Sequence, residues 1–150
     1  VEAGAEVLQI FDSWSGILDE YNFRKWVIEP TKTIIQRIRS RHITVPIIGF
    51  PRGAGKNYHD YIRETGVDAV SVDQFTPLSE MKKMQEHTIV QGNLDPVYLL
   101  GDPERMIVAT DRILEEMKND SRFIFNLGHG MIKEIAPENV DILCQHLRKS

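Results

Sequence analysis

The chain has 150 residues, 41% of them hydrophobic and 27% charged, with 18 Lys and Arg against 22 Asp and Glu for a formal net charge of −4. Those values describe one folded domain able to bury its own core, and the lone Cys144 rules out a disulfide scaffold and suits the reducing cytosol. Basic residues are scattered singly, which excludes the clustered face that binds nucleic acid, and the longest apolar runs, such as Val45 to Phe50, are far short of the roughly 20 residues that span a membrane.

The opening Val1-Glu2-Ala3-Gly4-Ala5 reads as the end of a helix running into a strand, so the chain is expected to begin inside a domain. Glu6 to Phe11 is a buried-type strand that stops at the polar Asp12-Ser13-Trp14-Ser15-Gly16. Phe23 to Arg41 carries apolar residues at helical spacing, with a break expected near Pro30. Thr44 to Phe50 is a second strand, followed by Pro51-Arg52-Gly53-Ala54-Gly55 and a helix from Tyr58 to Glu64 that ends at Gly66. Ala69 to Val72 is a third strand, and Pro77 to Gln85 is a short helix with Pro at a tolerated first-turn position. Thr88 to Gln91 is a fourth strand running into a Gly92-Asn93-Leu94-Asp95-Pro96 turn. Met106, Ile107, Ile113, Leu114 and Met117 mark an amphipathic helix after Pro103. Phe123 to Phe125 is a fifth strand ending at Asn126-Leu127-Gly128-His129-Gly130. A last helix opens at Pro137 with Val140, Leu143, Cys144 and Leu147 as its inner face.

Five short apolar strands alternating with helices predict an α/β fold with a parallel sheet covered by helices. An open doubly wound sheet and part of an eight-stranded (β/α)8 TIM barrel both fit. The abrupt start, and polar or glycine-rich segments after nearly every strand, favour a barrel portion of about five βα units, an incomplete single domain over residues 1–150. Functional groups in either fold gather at the carboxyl ends of the strands. These segments hold Asp12, Ser13 and Ser15; Arg52 and Lys56; Asp73 and Gln74; Asn93 and Asp95; and Asn126 and His129.

Each of these has a structural alternative. Gly49 to Lys56 departs from a phosphate-binding loop in spacing, in having Phe50, and in placing Asn57 where a Ser or Thr would hold magnesium. His129 between two glycines either faces a pocket, where an imidazole can meet a carboxylate or carry a proton, or braces a neighbouring loop. Ser13 either donates to a ligand or caps the following helix. Asp73 either serves a ligand or holds the next loop, while Asn93 and Asp95 read as turn builders. His42, His59, His87 and His146 fall on helix ends or faces. Cys144 and His146 point to different faces of one helix, so no zinc site is expected. No nucleophile elbow surrounds Ser13 or Ser15.

Taken together, Phe11-Asp12-Ser13-Trp14-Ser15-Gly16, Phe50-Pro51-Arg52-Gly53, Val72-Asp73, Gln91-Gly92-Asn93-Leu94-Asp95-Pro96 and Asn126-Leu127-Gly128-His129-Gly130 resemble uroporphyrinogen decarboxylase, in that family's order and spacing. The resemblance implies a cytosolic, homodimeric (β/α)8 barrel that needs no metal or organic cofactor and removes the four acetate carboxyls of uroporphyrinogen to give coproporphyrinogen. It implies that Ser13 and His129 contact the tetrapyrrole, His129 at a substrate carboxylate, and it gives Arg52 no role. It also implies that this chain is the C-terminal portion of the enzyme. The family's arginine-bearing segment, pyrrole-facing aspartate and active-site tyrosine would then lie upstream, with no catalytic residue of its own here and no activity in isolation.

Two other readings stay open. Corrinoid-dependent methyltransferases resemble the same barrel family and carry zinc on a His-x-Cys pair, but the matching strand-end loop here is Gly49-Phe50-Pro51-Arg52-Gly53. A non-catalytic barrel paralogue acting as a binding module is the other.

Overall fold

A computed structural model describes residues 1–118 and 121–149. Five strands form one sheet: β1 Leu8–Asp12, β2 Ile47–Pro51, β3 Ala69–Ser71, β4 Ile89–Leu94 and β5 Phe123–Leu127. Each pairs in parallel with the next, in the order β1-β2-β3-β4-β5. A doubly wound sheet reverses its strand order at a switch point. Consecutive order with right-handed crossovers puts every helix on one side, as in the wall of a barrel. The fold is therefore α/β and consistent with part of a (β/α)8 barrel.

The helices are α1 Glu20–Phe23, α2 Glu29–Arg39, α3 Tyr58–Thr65, α4 Leu78–Gln85, α5 Pro103–Met117 and α6 Pro137–Leu147. Asp19 caps α1 by accepting from the Asn22 amide at 2.8 Å, and Asp102 caps α5 by accepting from Glu104 at 2.9 Å. α3 ends at Gly66 in the left-handed conformation, as its sequence predicts. The expected break at Pro30 is instead a π-helical stretch, Arg24–Ile28, that joins α1 to α2 without interrupting the helical path. The wider turn sits just ahead of the residue that has no N–H to give, and accommodates its ring.

Alternation along the strands sorts their side chains. Ile47, Val70, Val72, Val90 and Leu94 face the helices and join Phe23, Tyr61, Met81, Met84, Leu99 and Met106 in one buried cluster. The opposite face carries Gln9 and Phe11, Ile48 and Phe50, Ser71, Gln91 and Asn93, and Ile124 and Asn126. Phe11 meets Phe50 edge to face at 6.1 Å, and the Gln91 amide donates to the Ser71 hydroxyl at 3.1 Å.

Strands β1, β2, β4 and β5 run further toward their carboxyl ends than the apolar runs indicate, while β3 stops at Ser71, one residue short of the expected Val72. β4 continues through Asn93, which pairs with Asn126, and the Gly92–Asn93 peptide is cis. Asn93 is thus a strand residue and not a turn builder. Its buried amide donates to the Asp73 carbonyl at 2.9 Å and to the Thr76 carbonyl at 2.8 Å. On α6, Leu143 is buried but Cys144 is exposed, so the cysteine leaves the predicted inner face. No helix among the described residues is long and apolar enough to cross a membrane.

Candidate functional site

The carboxyl ends of all five strands open onto one rim, and hydrogen bonds between neighbouring loops hold it. The Arg52 amide extends the β1–β2 ladder by donating to the Asp12 carbonyl at 3.0 Å. The Arg52 carbonyl in turn accepts from the Gly16 amide and from the buried Ser15 hydroxyl, both at 2.9 Å. The two loops meet glycine to glycine: a Cβ on Gly16 would lie 2.7 Å from the Gly53 Cα, and Gly53 has φ +77°. Ser15 is therefore a structural tie, and the neighbouring Ser13 is not.

Asp73, at 2% exposure, is the hub of the next loop. Its Oδ2 accepts from the Gly53 amide at 2.6 Å and from the Tyr58 hydroxyl at 2.9 Å, and its Oδ1 accepts from the Phe75 amide at 2.9 Å. Burial first, and then the Asp73 charge, push the Tyr58 phenol far above its ordinary pKa, so it stays a neutral donor. Of the two roles open to Asp73, the structure shows it holding the loop. Its partner Tyr58 was legible only as the start of a helix, because nothing local links positions 58 and 73. Asp95 is the turn builder expected of it, accepting from the Val97 amide at 3.0 Å.

At the end of β5, the Gly128 amide donates to the Leu94 carbonyl at 2.7 Å. A Cβ on Gly128 would collide with the main chain of Gln74, so the absence of a side chain is what lets this loop lie on the loop after β3. His129 follows immediately and is exposed.

Ser13 and His129 thus stand on the same rim, one after β1 and the other after β5. Among the described residues, neither the Ser13 hydroxyl nor the His129 ring makes a hydrogen bond, so Ser13 does not cap a helix and His129 does not brace a loop. Asp12 does the local work instead, its Oδ1 accepting from the Trp14 amide at 3.1 Å. Two further rim atoms are buried without partners: Arg52 Nε and Gln74 Oε1.

The remaining candidates lie away from this arrangement. Lys56 reaches Glu20 at 2.8 Å from a 3₁₀ turn, Gly55–Asn57, and no phosphate cradle forms there. His59 lies 3.5 Å from Glu80 and His146 2.5 Å from Asp111, while His42 and His87 are exposed. Among the described residues, no three His, Cys, Asp or Glu side chains converge on a point that could hold a metal ion.

Comparison with known proteins places this arrangement. A sequence profile described as "Uroporphyrinogen decarboxylase (URO-D)" matches residues 1–150. The chain is 49% identical over 147 residues to a protein named uroporphyrinogen decarboxylase from Rickettsia akari (strain Hartford), covering 98% of this chain and 43% of that one. It is also 49% identical to the protein of that name from Rickettsia rickettsii (strain Sheila Smith), covering 98% and 42%. To the one from Orientia tsutsugamushi (strain Ikeda) it is 44% identical over 141 residues, covering 94% and 41%. The chain spans less than half the length of these relatives, and with the profile matched from end to end it belongs to the uroporphyrinogen decarboxylase family.

Proposed function

We propose that the complete protein is a uroporphyrinogen decarboxylase, and that this chain is the C-terminal five βα units of its barrel. The enzyme takes the four acetate carboxyls from uroporphyrinogen and leaves coproporphyrinogen, as a cytosolic homodimer without a metal or organic cofactor. The observation that carries the reading is the shared rim. Ser13 and His129, engaged by nothing else in the fold, stand at the carboxyl ends of the first and last strands of one parallel sheet, where barrel enzymes place their ligands.

The chemistry suits such a rim. Protonation of a pyrrole beside the acetate makes the substrate its own electron sink, accepting the electron pair released as carbon dioxide leaves. The protein has to hold a polycarboxylate in place and stabilise a developing pyrrolinium cation with groups set in advance. In this reading the Ser13 hydroxyl donates to the bound tetrapyrrole and the His129 ring donates to a carboxylate. Asp73 is not the cation stabiliser, because its two oxygens already accept from Gly53, Tyr58 and Phe75. That group therefore comes from the rest of the complete chain, and the 150 residues alone are expected to be inactive.

The test is anaerobic incubation of uroporphyrinogen with the full-length protein and, separately, with this chain, separating products by the carboxyls they retain. Stepwise conversion to the four-carboxyl product by the full-length protein alone is the expected result. A folded full-length protein that leaves uroporphyrinogen unchanged overturns the assignment, and turnover by the 150 residues overturns their predicted inactivity.

A further inference from the structure

Arg52 holds a donor with nothing to give it to. Its main chain is fixed on both sides, the amide to Asp12 and the carbonyl to Gly16 and Ser15, so the residue is set firmly between the first two strand ends. Two positions beyond Phe50, it continues the row that faces away from the helices. Its Nε is nevertheless buried and, among the described residues, has no hydrogen-bond partner. The carboxylates of the adjoining loops are engaged elsewhere, Asp12 with the Trp14 amide and Asp73 with Gly53, Tyr58 and Phe75. Arg24, Arg39 and Arg63, by contrast, each have an acidic partner within the fold.

A cationic donor removed from water and left unpaired is costly, and such an atom in a native structure calls for a partner from outside the chain. The guanidinium presents its Nε–H beside a terminal N–H in a planar fork that matches a carboxylate. On the adjacent strand-end loop, Gln74 Oε1 is the converse case, a buried acceptor without a donor. A ligand carrying both carboxylates and N–H groups, as a porphyrinogen does, answers both.

We infer that Arg52 is a specificity-determining residue that anchors one carboxylate side chain of the substrate through its Nε–H. The inference takes the substrate class from the decarboxylase reading and assigns a contact which that reading does not contain. The bound group is an acetate or a propionate arm, and the test separates them.

The experiment uses the full-length protein and its Arg52→Gln and Arg52→Lys variants. Affinities are measured by fluorescence quenching for two oxidised, unreactive probes, uroporphyrin with both kinds of arm and coproporphyrin with propionates only. Kinetic constants for uroporphyrinogen and melting temperatures are measured alongside. Arg52→Gln is expected to raise Kd and KM about tenfold, the loss of one charge-assisted hydrogen bond, while kcat changes less than about twofold and melting does not fall. Arg52→Lys recovers part of the affinity. A loss confined to uroporphyrin assigns an acetate arm, and a loss for both probes a propionate.

A folded Arg52→Gln protein with wild-type Kd and KM overturns the anchor, and so does a fall in melting temperature without a change in Kd. If Arg52→Gln does not fold, Arg52→Met, which keeps the apolar stem and removes every donor, carries the same comparison. A wild-type protein that neither binds uroporphyrin nor converts uroporphyrinogen overturns the decarboxylase reading as well. Wild-type turnover with an indistinguishable variant overturns the anchor alone.

Discussion

The two faces of the sheet solve different problems. On the helix side, Ile47, Val70 and Val90 are fully buried among methionines and aromatics, and the few buried hydroxyls there, such as those of Thr65 and Thr110, are bonded to carbonyls of their own helices. On the other side, polar groups occupy the middle of the sheet, Ser71 with Gln91 and Asn93 with the Asp73 carbonyl, and the apolar residues at its margins stay open, Phe11 at 66% and Ile124 at 40% exposure. The first face stabilises mainly by removing apolar area from water. The second is held by directional bonds that converge on the rim. Stability and site geometry thus reside on opposite sides of the same five strands, joined through Asp73.

The strongest way to break that division is at the joint. Asp73→Ala strips the acceptor from the Gly53 amide, the Tyr58 hydroxyl and the Phe75 amide together. At about 1–3 kcal/mol for each donor left unpaired, and with incomplete additivity, the full-length protein is expected to lose about 4 kcal/mol. Urea unfolding measures it, and a loss below about 1 kcal/mol would show that the rim is held by something else.

Next comes the helix side. Met81 is fully buried on α4, and Met81→Ala is expected to cost about 3 kcal/mol in the same measurement, from lost transfer energy and the cavity left behind. Because Met81 lies away from the rim, Kd for uroporphyrin is expected to stay within about twofold of wild type in the folded fraction. A parallel loss of affinity would mean that the two faces are not separate.

A smaller effect comes from the outer charges, which belong to neither face. The Arg24 guanidinium donates to Glu64, and this bond, before any other influence, holds the Glu64 carboxyl below the usual carboxylate range. A depressed folded pKa contributes stability above the unfolded value of about 4.3, and that contribution disappears as pH falls through the folded value. Glu64→Gln is therefore expected to cost less than about 1 kcal/mol at neutral pH and nothing in acid. A penalty that persists in acid would assign the effect to packing.

The sequence shows these regions unequally. The helix side was legible because periodicity reports burial directly: the runs at Thr44–Phe50 and Ala69–Val72 and the stripe on α5 all fall on real elements. The strand ends were not, since the last residues of β4 and β5 are Gly, Asn and Leu combinations whose local preference is for turns, and the ladder overrides it only once neighbouring strands are in place. Ser13 and His129 were legible as rim residues from motif order. The bond between Tyr58 and Asp73 joins residues 15 positions apart on separate elements, and the orphaned Arg52 Nε depends on what surrounds it. No spacing rule encodes either.

The smallest stability effect gives the sharpest comparison. Ser13 and His129 make no hydrogen bond among the described residues and lie exposed on the rim, so Ser13→Ala and His129→Ala remove nothing that the fold uses. Each is expected to leave unfolding free energy within about 0.5 kcal/mol of wild type, as for surface positions generally. If the rim receives a polycarboxylate, each variant should still weaken uroporphyrin binding severalfold, because each removes a hydrogen-bonding group that the fold leaves to the ligand. Stability and affinity then move independently in these two variants and together in Asp73→Ala, since of the three only Asp73 bonds a neighbouring loop, through the Gly53 amide against which the Ser13 loop packs. A His129→Ala protein with wild-type affinity would separate this histidine from the ligand and leave the rim to Ser13 and its neighbours.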